Sequence, residues 1–353
     1  MFPTDHRSCR EAFADAAVAA GSTVDRYPLD ALGPAGEPLW VSVARFGPVD
    51  ARRTAVVMSG VHGVEGPAGS AQQVALLRQG VELAHGCALV MIHGVNPWGM
   101  AWLRRQNERN VDLNRNWIDH PAPTSNPAYA DVHDLLCPAG AVVPDGDDFV
   151  QRLGALSRSR GLDWVRRAVS SGQYSHPDGL YYGGSTREAS TRLVRRIADD
   201  HIGTTDELSI LDLHTGHGGY GAATLLSRAQ VSSDEAAWLR SAFPDEAIES
   251  SAAADDDLVS KSGQLALGLV RHIDPAVART ATLEIGTRSE TRMIVAERAE
   301  HWVHQHGDRD DPAHQAVVTA HLECSIPDDA DWHASALEHG TRVLRAFVTA
   351  AIV

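Results

Sequence analysis

The feature that most constrains the fold is a broken apolar run. Residues 54–58 are uniformly apolar apart from Thr54, and they give way to Ser59-Gly60-Val61-His62-Gly63-Val64-Glu65-Gly66-Pro67. Residues 67–77, an Ala/Leu-rich segment, follow at once. The apolar run reads as a buried strand, and a proline at the head of the next segment suits the first turn of a helix. A second apolar run occupies residues 87–93 and ends in a turn cluster at 94–99. Strand, helix and strand at this spacing predict a βαβ unit and a parallel sheet. The turn between the first strand and the helix carries His62 and Glu65 three residues apart, so an imidazole and a carboxylate can aim at one point. That is two-thirds of a His/His/Glu zinc site with a position left open. Alone it says little, because His and Glu fall three apart by chance in many chains.

Elsewhere, residues 38–44 alternate as a strand does. Residues 208–214 form another apolar strand that runs into the glycine-rich stretch 215–221, and 280–286 read as a further short strand. Helical patterns cover residues 8–20, 149–169, 190–202, 233–243 and 335–353. Residues 119–185 break the rhythm: they are rich in Pro, Gly and Asp and close in a Tyr/Gly-rich run containing Tyr174, His176, Tyr181 and Tyr182. Long irregular segments in compact domains are usually functional loops, so this one is expected to wall the active site. No repeat or low-complexity tract divides the 353 residues, and the expectation is a single α/β domain. Its central sheet should be mixed and mostly parallel, with helices on both faces.

The charge balance narrows the partners. With 31 basic and 46 acidic residues the net charge is −15, and an acidic surface repels nucleic acid and anionic membrane alike. No apolar run approaches the ~20 residues that span a bilayer, and the first residues lack a secretory pattern. Cys9, Cys87, Cys137 and Cys324 are widely spaced and read as free thiols. A cytoplasmic protein is expected.

His214 ends an apolar strand and opens a glycine-rich loop, which is where open α/β sheets place their ligand sites. A strand-end histidine taken alone is more often a satisfied structural residue. Asp212 lies two residues earlier, on the same strand face. Glu284 is a lone carboxylate within a Thr/Ala/Leu/Ile strand: either a solvated edge position or a general base in a cleft. Between these lies Asn96-Pro97-Trp98-Gly99, followed by Asp112-Leu113-Asn114-Arg115-Asn116-Trp117.

In this order, H-x-x-E, N-P-x-G, D-L-N-R-N-W, D-L-H and a strand glutamate resemble the zinc carboxypeptidase family of carboxypeptidase A. The wording around residues 172–184 and 212–216 is similar to a bacterial subgroup described only as a domain of unknown function (DUF2817). The matching blocks are residues 54–118, 172–221 and 278–288. The resemblance implies that His62, Glu65 and His214 hold one Zn²⁺ per chain, with Asp112 orienting the first histidine. It implies Glu284 as the general base, and Asn114 with Arg115 as the grip on a substrate carboxylate. Arg105 matches the arginine that stabilises the oxyanion, with Arg104 as a competitor. One departure stands out. The family's mobile tyrosine has no counterpart, since Tyr220, the one tyrosine between His214 and Glu284, lies only six residues after that histidine. Tyr181 or Tyr182 could cover the cleft instead. The implied reaction is zinc-dependent hydrolysis of an amide bond next to a free carboxylate in a peptide-like substrate. A related branch of the same fold removes acyl groups from amino acids, which makes N-acyl amino acid deacylation the alternative. A metal-free binding protein on this fold is the more distant one.

Overall fold

The computed structural model describes residues 1–120, 125–250 and 263–353. Among the described residues eight strands form one sheet: β1 (Val24–Leu32), β2 (Pro38–Phe46), β3 (Arg53–Ser59), β4 (Cys87–His93), β5 (Glu207–Gly216), β6 (Ala223–Ser227), β7 (Ala247–Ser250) and β8 (Val277–Gly286). Their spatial order is β1-β2-β4-β3-β5-β8-β6-β7. The central four, β4-β3-β5-β8, are parallel, while β1 and β2 join antiparallel on one side and β6 pairs antiparallel with β8 on the other. The sheet is therefore mixed with a parallel centre, as expected.

The parallel strands are apolar along both faces because both faces are covered. Ala55 and Val57 of β3 pack with Ala68, Leu77, Val343 and Phe347 from helices Gly66–Gln79 and Ala330–Ile352. Their neighbours Val56 and Met58 face the other way, onto Val194, Ile197, Leu265 and Leu269 of helices Ala189–His201 and Leu265–Ile273. The chain leaves β3 for β4 on one side and later returns to β3's other side as β5. That reversal opens a crevice at the carboxyl ends of β3 and β5, where doubly wound sheets bind their ligands.

The segment 119–185, of which residues 121–124 lie outside the described residues, is more ordered than its composition predicts. Helices Gly146–Arg160 and Leu162–Ser170 enclose a small core of Tyr129, Leu136, Phe149, Val165 and Leu180. The single helix predicted over 149–169 is two, parted at Gly161, whose φ of 89° is left-handed. Among the described residues no helix is long and apolar enough to cross a membrane. The four cysteines are unpaired in disulfides.

Candidate metal centre

The turn after β3 is built by close backbone approach. A Cβ on Gly63 would overlap the Gly99 backbone, so only glycine lets this turn lie against helix Pro97–Trp102. Val64 N then donates to Arg104 O at 2.9 Å and Gly63 N to Arg105 O at 3.3 Å, which ties the turn to the arginine loop. The Asn96-Pro97-Trp98-Gly99 motif is the start of that short helix. Asn96 Oδ1 accepts from Gly99 N at 2.9 Å, and Pro97 occupies the first turn.

His62 and Glu65 leave this turn into the crevice, and His214 reaches it from β5. His62 Nδ1 lies 2.8 Å from Glu65 Oε1, His214 Nδ1 lies 2.9 Å from Glu65 Oε2, and the two Nδ1 atoms are 3.1 Å apart. All three side chains are buried. The far nitrogen of each ring faces a carboxylate: His62 Nε2 is 3.4 Å from Asp112 Oδ1, and His214 Nε2 is 2.9 Å from Asp212 Oδ2. Among the described residues neither nitrogen has a hydrogen-bond partner by geometry, so both approaches are electrostatic contacts. With the ring protons turned toward those carboxylates, both Nδ1 lone pairs and both Glu65 oxygens converge on one point. A cluster of acceptors facing one another in a buried place is repulsive unless a cation or proton sits among them. The charges record that demand. Burial works against a charge on His214, yet Asp212 and Glu65 raise it well above the ordinary imidazole value. Burial pushes the Glu65 carboxyl up, and the two histidines outweigh it and hold it below the usual range. The donor set fits a tetrahedral His₂Glu metal site, and among the described residues it is the cluster whose ligand atoms, within 4.8 Å of one another, could hold an ion.

Glu284 sits beside this cluster because β5 and β8 run in register, with His214 opposite Glu284. Burial raises the Glu284 carboxyl, and the nearby Glu65 adds to the rise; His217 N donates to its Oε2 at 3.3 Å. A cavity of about 350 Å³ opens over these groups, lined by His62, Arg105, Asn114, Arg115, His214 and Glu284 among others.

The two neighbouring arginines part company. Arg105 reaches the cavity, held by Asp112 Oδ2 at 3.1 Å, Glu65 Oε1 at 3.4 Å and Glu297 Oε1 at 3.6 Å. Arg104 turns the other way and is fully buried against both oxygens of Glu300, each 3.1 Å from its Nε. Asp112 also accepts from Asn114 N at 2.9 Å, which shapes the short turn carrying Asn114 and Arg115. Asn114 Oδ1 accepts from Leu265 N at 3.0 Å, leaving its NH₂ as the end for a ligand. Arg115 donates through NH1 to Asn114 O at 2.9 Å and through NH2 to Ser170 O at 2.8 Å, leaving a second N–H on each nitrogen.

The tyrosines and the insertion are placed differently from expectation. None of Tyr181, Tyr182 and Tyr220 lines the cavity, nor does any described residue of 119–185. Tyr181 is buried behind Arg105: its hydroxyl donates to Glu297 Oε2 at 2.9 Å and its ring faces the guanidinium at 5.5 Å. Tyr182 is buried as well, and its carbonyl accepts from Asp112 N at 2.8 Å. Tyr220 stands on an exposed turn with its hydroxyl on Asp329 at 2.7 Å. The insertion buttresses the site from behind, through Ser170 and Tyr174 on Arg115, because it spends its apolar residues on its own core. Sequence reasoning gave no role to Glu297 or His217. Neither belongs to a motif, and only the fold brings them here.

A family model described as "Protein of unknown function (DUF2817)" matches residues 2–339. Among curated proteins no sequence matches. The structure is similar to a carboxypeptidase A from Helicoverpa armigera (13% identity, TM-score 0.48, covering 98% of this chain and 72% of that one). It is also similar to a metallo-carboxypeptidase from Pseudomonas aeruginosa (14%, 0.48, 96% and 67%). A murein-tripeptide amidase from Escherichia coli O157 is a third (16%, 0.37, 80% and 89%). None of these likenesses is close enough to carry a residue role or a substrate across.

Proposed function

The chain belongs to the DUF2817 family, whose description assigns no reaction, and from the geometry of its site we propose a zinc-dependent amide hydrolase acting next to a free carboxylate. One observation carries the reading: a buried His₂Glu acceptor cluster stands at the sheet's switch point with an elevated carboxyl, Glu284, in register beside it. His62, Glu65 and His214 would hold the ion, which supplies Lewis acidity at the open fourth position.

The remaining steps belong to the chain. Glu284 takes a proton from the attacking water and delivers it to the leaving amine, a task suited to a carboxyl whose proton affinity burial raises. Arg105, fixed by Asp112 and Glu297, presents its cation where charge develops on the carbonyl oxygen. Asn114 NH₂ and the remaining Arg115 N–H groups bind the substrate's carboxylate. A cavity of about 350 Å³ suits a small peptide or an acylated amino acid rather than a folded chain. The net charge of −15 supports a small-molecule partner rather than nucleic acid, and the four free cysteines support a cytoplasmic setting.

The test is hydrolysis by zinc-loaded protein of C-terminally free dipeptides and of N-acyl amino acids, side by side, with Glu284→Gln as control. Release of amine from the dipeptides, cut by ~10²–10⁴-fold in Glu284→Gln while zinc is retained, is expected. Preference for the N-acyl amino acids would move the chain to the deacylase reading. Glu284→Gln with normal turnover would remove Glu284 from its role, and no hydrolysis of either class would leave a binding protein.

A further inference from the structure

We infer that Asp212 is the positioning residue that makes His214 a metal ligand, and that the two imidazoles of the site are backed unequally, His214 the more strongly. The inference rests on the metal reading above and extends it to a residue outside the ligand set.

β5 places Asp212 and His214 two apart, so both side chains leave the same face of the strand. Asp212 Oδ2 lies 2.9 Å from His214 Nε2, against 3.4 Å for the corresponding pair, Asp112 Oδ1 and His62 Nε2. The larger contrast lies in what else each carboxylate does. Asp112 divides its charge among the Arg105 guanidinium at 3.1 Å, the Asn114 N–H at 2.9 Å and His62. Asp212 is buried to the same degree, yet among the described residues it has one ion-pair partner, His214, and its Oδ1 has no hydrogen-bond partner. A buried carboxylate without compensation is costly, so its electrostatic effect falls almost wholly on that ring.

Two consequences follow for His214. The negative charge beside Nε2 favours the proton on that nitrogen, as an electrostatic contact rather than a hydrogen bond, and leaves the Nδ1 lone pair toward Glu65 and His62. Its ring also gains basicity from an undivided negative charge, as outer carboxylates confer on metal-bound histidines. His62 gains less, because Arg105 draws on the carboxylate behind it.

Zinc affinity, measured by chelator competition on the full chain with zinc alone as probe, tests this without any substrate. Asp212→Asn should weaken zinc binding by ~10–100-fold, and Asp112→Asn by less, with unchanged circular dichroism. Asp212 lines the cavity, so formate can reach the space left by Asp212→Ala. Millimolar formate should then restore several-fold of the lost affinity, an effect that general loosening of the fold would not show. Asp212→Asn that binds zinc within twofold of the wild type overturns the inference while leaving the metal reading standing. Equal losses in the two Asn variants, or no response of Asp212→Ala to formate, overturn it as well. A wild-type chain that takes up no zinc removes the metal reading itself, and this inference with it.

Discussion

At the scale of single residues, Arg104 and Arg105 show what a motif can and cannot say. Adjacent in sequence and identical in chemistry, they differ in what they face, and only the fold decides that. Burial pushes the Glu300 carboxyl up, and Arg104, His321 and Arg309 together hold it down to about 2. Arg104 is thus one half of a buried ion pair. Removing one partner of such a pair strands the other. Arg104→Met should therefore cost about 3 kcal/mol of unfolding free energy in urea, Arg309 remaining as a partial partner, while zinc content stays at the wild-type level. A variant of normal stability that loses turnover on a working substrate would return Arg104 to the site. The ligand positions were legible in the sequence because His62, Glu65 and His214 stand where strands end in glycine-rich turns. Glu297 was not, since a lone glutamate within a helix carries no mark of what it will face.

At the scale of elements, four of the five legible strands show as apolar runs, and β2 shows by its alternation. β3, β4, β5 and the carboxyl half of β8 announce themselves as apolar runs, and the sheet's parallel centre follows from them. β1 was missed because it is an edge strand. It carries Asp25, Arg26, Pro28 and Asp30, buries little beyond Tyr27 and Leu29, and is held by its pairing with β2 rather than by a hydrophobic face. β7, four residues at the opposite edge, is mostly exposed for the same reason. Helix Glu290–His306 was missed for a different cause. Its buried side includes Glu297, Arg298, Glu300 and His301, so polar groups occupy the positions where a core helix would show its apolar stripe. That buried polarity supports Arg104 and Arg105 from behind, and the pattern that hides the helix is what makes it useful.

For the whole molecule, the same buried polarity sets a limit in acid. Burial pushes His93 down to about 3 and His301 down to about 4, so both are neutral in the folded chain. In the unfolded chain they titrate near ~6.5. A histidine whose folded value is depressed contributes its full stability above the unfolded value, and loses it as pH falls toward the folded one. Each should withdraw ~1.4 kcal/mol per pH unit between about pH 6 and 4. Melting temperature measured from pH 7.5 to 4.5 should fall steadily below about pH 6.5; a flat profile would mean these rings are not buried neutral.

The insertion is also a matter of the whole chain. Its length and composition suggest a cleft wall, but its own apolar residues close a separate core, and it meets the site from behind, with Ser170 and Tyr174 on Arg115, Tyr181 on Arg105 and Tyr182 on Asp112. Glu65 and His214, 149 residues apart in sequence, converge with His62 on one point where a single ion would be held. Elemental analysis of the purified chain after zinc loading and gel filtration tests it most directly, with His62→Ala and His214→Ala alongside. One zinc per wild-type chain and little in either variant is expected; a wild-type stoichiometry near zero, or variants that hold zinc as the wild type does, would rule this site out.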